Sequence, residues 1–126
     1  MINQLAELHK IAPDVCYSPG LLPKFVIADY GFWQTEDGEL IACPISSDYF
    51  ECSRNIGGRM ALAFLCDALE QVIAARWDFE YRFFSSVGTA PDRHSVEILN
   101  GKGEHVGDTK AAALLSAFIA ALKADQ

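Results

Sequence analysis

An α+β domain is predicted by two features of the chain: a hydrophobic period that switches along it, and the residues that mark each switch. Apolar residues recur at helical spacing near the start, across the middle and at the end. Between these stretches they alternate or cluster in short runs rich in β-branched and aromatic side chains, and proline or glycine falls at the boundaries. The predicted order is α-ββ-α-ββ-α, with antiparallel β-hairpins packed with helices in an α/β/α sandwich-like arrangement. One antiparallel sheet built from both hairpins is the simplest way to bury these faces.

Ile2, Leu5, Leu8 and Ile11 stand three residues apart and predict a short amphipathic helix that Pro13 ends. Residues 12–23 hold Pro13, Pro19, Gly20 and Pro23 and read as a loop. Residues 24–45 read as a hairpin, with Phe25, Val26, Ile27, Tyr30, Phe32 and Trp33 before the Glu36-Asp37-Gly38 turn and Leu40, Ile41 and Cys43 after it. Residues 46–58 read as a connection. The second helix, from about Gly58 to Arg76, carries Leu62, Leu65, Leu69, Val72 and Ile73 on one stripe. Phe79, Tyr81 and Phe83 then alternate with Glu80, Arg82 and Phe84, and Val96 and Ile98 mark a return strand that ends at Asn100-Gly101. Asp108 or Thr109 caps the last helix, whose Leu115, Phe118, Ile119 and Leu122 face the core.

At 126 residues the chain fits one domain, 1–126, able to bury about two-thirds of its unfolded surface. A hydrophobic share of 51% with 21% charged residues is that of a globular protein. The longest apolar stretch, Ala111 to Leu122, is interrupted by Ser116 and falls short of the roughly 20 residues a membrane span requires. No charged start followed by an apolar run opens the chain, so a cytoplasmic protein is expected. The four cysteines, Cys16, Cys43, Cys52 and Cys66, are accordingly expected to be reduced, with Cys66 packed as a small hydrophobe. A net charge of −7 argues against a general nucleic-acid binder, which needs a basic footprint, and fits either ordinary solubility or a patch that meets a basic partner surface.

The layout of the second half carries a resemblance. A helix from Arg59 to Arg76, a hairpin, and Gly107-Asp108-Thr109 before an alanine-rich closing helix resemble the phage ABA sandwich domain over about residues 58–124. That resemblance implies a phage or prophage accessory protein working in the bacterial host cytoplasm, with no catalytic residues to carry over. It further suggests a protein that binds a host or phage protein, as an inhibitor of bacterial defence does.

Four groups of residues are candidate sites. Cys43 and Cys52 lie nine residues apart with no Cys-x-x-Cys or His-x-x-x-His pair, so no metal or other cofactor is expected. Asp92-Arg93-His94-Ser95 has the residue types of a triad, but strand neighbours point to opposite faces and no nucleophile elbow accompanies them. Arg54, Gly57, Gly58 and Arg59 open the second helix, where free N–H groups between arginines suit a phosphate or carboxylate. For the aromatic group Tyr30, Phe32, Trp33, Tyr49 and Phe50, burial between covering layers is the first reading; an aromatic left exposed beside Glu36, Asp37 and Glu39 suits a protein contact with an acidic rim. The leading reading is a non-enzymatic protein-binding module. The alternative is a small anion- or nucleotide-binding domain or enzyme at the Gly57-Gly58 helix start, and a homodimer is the third reading.

Overall fold

The computed structural model describes residues 1–18, 20, 24–46, 49–52, 55–85, 88, 92–98 and 103–125, with the backbone alone for 46 and 49–52. Three helices, α1 (Ile2–Ile11), α2 (Gly58–Ala74) and α3 (Lys110–Ala124), occupy the places that the helical periodicity marks. The class is α+β with antiparallel pairing throughout, but the strands form two sheets instead of one.

The first sheet is a meander of β1 (Cys16–Tyr17), β2 (Phe25–Ile27), β3 (Tyr30–Gln34), β4 (Leu40–Ser46) and β5 (Tyr49–Cys52). The short β6 (Ile56–Gly57) also pairs with β4, setting Ala42 opposite Ile56 and Ile41 opposite Gly57. Strands thus lie in two stretches read above as loop and connection. They are two to four residues long, too short for an alternating pattern to show in the sequence. The second sheet is β7 (Phe79–Phe84), β8 (Arg93–Ile98) and β9 (Glu104–Gly107), paired in that order.

Helices α2 and α3 pack on each other and join the two sheets, α2 resting on β4 and α3 on β8 and β9. Helix α1 packs on α3 and on the β1–β2 edge. Being flanked by α1, α2 and the second sheet, α3 buries Ala111, Ala113, Leu114, Leu115, Ala117, Phe118, Ile119, Ala121 and Leu122. A helix apolar on most sides is a core helix, and its alanines let three neighbours approach closely. Each large side chain so buried, such as Phe118 or Leu114, contributes about 1.5–3 kcal/mol.

Polar side chains on α3 mark where other helices cross it. Ser116, the one interruption in its apolar run, accepts a hydrogen bond from Gln4 Nε2 of α1 at 3.1 Å. Lys123 pairs with Glu7 of α1, and Lys110 Nζ pairs with Glu70 Oε1 of α2 at 2.6 Å. Of the two capping candidates, Thr109 is the N-cap and accepts from Ala112 N–H at 3.1 Å. Gly107 runs so close beneath this first turn that a Cβ would sit 2.7 Å from the Ala113 nitrogen. The glycine before the cap is therefore a packing requirement.

The thiols divide. Cys16 and Cys66 are free, whereas Cys43 is disulfide-bonded, which corrects the expectation of reduced thiols throughout. Strand pairing, invisible in the spacing, lays β4 beside β5 with Ile45 opposite Cys52. Burial pushes the Cys16 thiol up to about 12 and the Cys66 thiol up to about 11.

Candidate functional site

Among the described residues, the start of α2 does not offer an open anion site. Gly57 is its N-cap in an extended conformation (φ −109, ψ −176), no side chain caps it, and Arg59 is exposed. Arg54 lies outside the described residues. The Glu39 carboxylate lies against Gly57, since a Cβ there would overlap Glu39 Oε1. A carboxylate of the chain itself thus stands at the positive end of the helix dipole and repels a second anion. The neighbouring cavity, about 310 Å³, touches Gly58, Leu62, Leu40 and Thr109, and among the described residues no arginine or lysine lines it.

The first hairpin keeps its acidic tip but not its aromatic anchors. Glu36, Asp37 and Glu39 are exposed around the turn. Phe32, however, is fully buried, and Tyr30 packs on Phe64 with ring centroids 5.1 Å apart. Trp33 is half-buried, with Lys24 Nζ 5.1 Å from its ring centroid. Helix α2 lies on this sheet, so a partner reaches neither Phe32 nor the inner face around it.

His94 belongs to a group that its sequence neighbours do not suggest. The register sets it opposite Phe83 on β7 and Gly107 on β9. Its Nδ1 shares a 2.7 Å hydrogen bond with Tyr81 Oη, and its ring packs against those of Tyr81 (5.9 Å) and Phe83 (4.9 Å). Lys110 Nζ lies 4.5 Å from the Tyr81 ring centroid while pairing with Glu70. Burial works against the Lys110 charge, yet the hydrogen bond and charge of Glu70 outweigh it and hold the ammonium above its ordinary range. Cys66 and Glu70, four residues apart, share the α2 face that meets it.

Chemically this group is a clamp between α2, α3 and the second sheet. Its lysine is paired, its thiol is held protonated, and neither described cavity touches it. Ser95 points to the other side of the sheet from His94, so the triad arrangement does not form. Among the described residues, no three His, Cys, Asp or Glu side chains gather to hold a metal ion. No helix there is long and apolar enough to cross a membrane.

No protein-family model, curated protein or solved structure matches this chain.

The outer face of the second sheet remains, opposite the side on which α3 packs. Cross-strand neighbours place Glu80, Glu97 and Glu104 in one row, Arg82, Ser95 and Val106 in the next, and Phe84 beside Arg93 in the third. Arg82 Nε donates to Glu80 Oε1 at 3.1 Å. Glu80 first, then Glu97 and Glu104, hold its guanidinium above the ordinary arginine value. Phe84 and Val106 are 43% and 49% exposed, and the Arg93 guanidinium lies 4.8 Å from the Phe84 centroid. Only Ser95, at the centre, is buried. An acidic row thus adjoins exposed apolar and aromatic surface. The glutamates lie 17 and 7 residues apart along the chain, so nothing short of the strand register could have found them.

Proposed function

We propose that this chain is a non-enzymatic protein-binding module that takes a basic protein partner on the outer face of its second sheet. The observation that supports this is the row Glu80–Glu97–Glu104, laid beside exposed Val106 and Phe84 on a face that α3 does not cover. Like charges directly opposite one another cost stability, and a lysine- or arginine-bearing surface relieves that cost on docking. The net charge of −7 attracts the same kind of partner at longer range. The acidic tip of the first hairpin, at Glu36 and Asp37, adds to that field. The phage-type context belongs to this proposal, resting on the helix, antiparallel strands and Thr109-capped helix of residues 58–124. The anion-binding alternative is weakened by the Glu39 carboxylate at the α2 start.

Affinity capture from bacterial lysate, at low and at moderately high salt, tests the reading. The expected result is a specific basic protein that is retained at low salt and lost when the three glutamates are changed to lysine. Retention by that triple variant moves the site elsewhere, and no retention by the original chain overturns the proposal.

A further inference from the structure

The free edge of β7 supports a reading that goes beyond the heterologous partner. β7 pairs with β8 along one side and, among the described residues, with no strand along the other. Such an edge presents unpaired N–H and C=O groups, which proteins ordinarily guard with charged side chains, proline, a bulge or a covering element; the two charges on β7, Glu80 and Arg82, have opposite signs and pair with each other. Phe79–Phe84 reads Phe-Glu-Tyr-Arg-Phe-Phe, has no proline, and pairs with β8 in unbroken register over all six residues. It also leaves Phe83 51% exposed at that edge.

We infer that β7 is a self-recognition edge, pairing antiparallel with β7 of a second copy about a two-fold axis at Tyr81. The register follows from parity and charge. In an antiparallel pair, backbone groups alternate between the two sides of a strand, so a two-fold self-pairing centres on a residue. Centred on Glu80, it sets glutamate against glutamate; centred on Arg82, it sets arginine against arginine. Centred on Tyr81, it sets Glu80 opposite Arg82 of the second copy, and Arg82 opposite its Glu80. The same register sets Phe83 opposite Phe79 of the second copy. Both charges then meet opposite charge, twice per dimer, and the exposed Phe83 ring gains an aromatic cross-strand neighbour.

The other edge fits less well. β9 has four residues, Glu-His-Val-Gly, and ends at Gly107 beneath the first turn of α3. Pairing of β7 with β9 would moreover be head-to-tail and open-ended, whereas β7 with β7 closes at two copies. The product is a six-stranded sheet across the dimer, its two glutamate rows on one continuous outer face.

Sedimentation velocity over a concentration series tests the inference on three chains. The original chain should pass from monomer to dimer as concentration rises. Glu80→Arg sets arginine against Arg82 at both symmetry-related positions and should weaken the dimer roughly tenfold or more. Within the chain it exchanges the repulsive contact with Glu97 for an attractive one and gives up the exposed ion pair with Arg82, so its melting temperature should stay within a few degrees of the original. The double variant Glu80→Arg/Arg82→Glu exchanges the signs and should restore the dimer. A monomer at every concentration overturns the proposal, as does a Glu80→Arg chain that dimerises as tightly as the original. Failure of the double variant to recover overturns the Tyr81-centred register. Capture of a basic protein by an original chain that stays monomeric at every concentration would leave the partner reading standing while this inference falls.

Discussion

The two sheets carry the same sequence signal and resolve it in opposite ways. Each contains adjacent aromatics on one strand, Phe32-Trp33 in the first and Phe83-Phe84 in the second. In the first sheet Phe32 is fully buried and Trp33 half-buried, while in the second Phe83 and Phe84 are 51% and 43% exposed. The difference lies in strand position. β3 runs between β2 and β4 in a sheet that α2 covers, whereas β7 is an edge strand and α3 packs on β8 and β9 beside it. An aromatic dipeptide reports that its two rings point to opposite faces. Strand order decides which faces are covered, and strand order is non-local.

Substituting one ring from each sheet tests this contrast most severely. Phe32→Ala removes a ring with no exposure and should cost about 3–5 kcal/mol in denaturant unfolding, enough to threaten folding outright. Phe84→Ala should change stability by about 0.5 kcal/mol or less, as surface substitutions usually do, while weakening partner capture. Equal destabilisation by the two would mean that a contact covers the outer face of the second sheet in solution.

Much of the closed part of the molecule was legible in the sequence because its signals are local. The spacing of Ile2, Leu5, Leu8 and Ile11 marks the bounds of α1, and the Glu36-Asp37-Gly38 turn marks the β3–β4 hairpin. The turn between β2 and β3 carries no such mark: Ala28 there takes a positive φ of 52, a conformation usually left to glycine or asparagine. β2 and β3 therefore read as one run. β9 was missed because Val106 is its lone strong strand former. The glutamate row and the His94–Tyr81–Lys110–Glu70 group were beyond reach for a related reason. Their members come from elements that only register and helix docking bring together.

Alkaline titration separates the two regions by a different property. Cys16, buried beside α1 in the first sheet, has its thiol raised from 9.0 to about 12 by desolvation. The folded chain therefore holds a proton that the unfolded chain releases above pH 9. The stability this contributes is complete below pH 9 and drains away as pH rises toward about 12. Unfolding free energy measured across that window should fall, and Cys16→Ala should flatten the fall while lowering stability at neutral pH. An unchanged slope in the variant would assign the alkaline loss to other groups, with Cys66, raised to about 11, as the next to test.

A further effect belongs to the open face, and its sign carries the information. Glu97 stands between Glu80 and Glu104, so Glu97→Lys replaces two like-charge neighbours with two opposite ones. The gain should be about 0.2–1 kcal/mol per pair at low salt, shrinking as ions screen it. The original chain should itself gain stability as salt is raised from low levels, because its row is repulsive, and the variant should not. If binding a basic partner is what this row does, the more stable variant is also the poorer binder, so stability and capture move in opposite directions. A variant that is less stable, or that captures as well as the original, would show that the row is already neutralised by Arg82 and leaves nothing for a partner to satisfy.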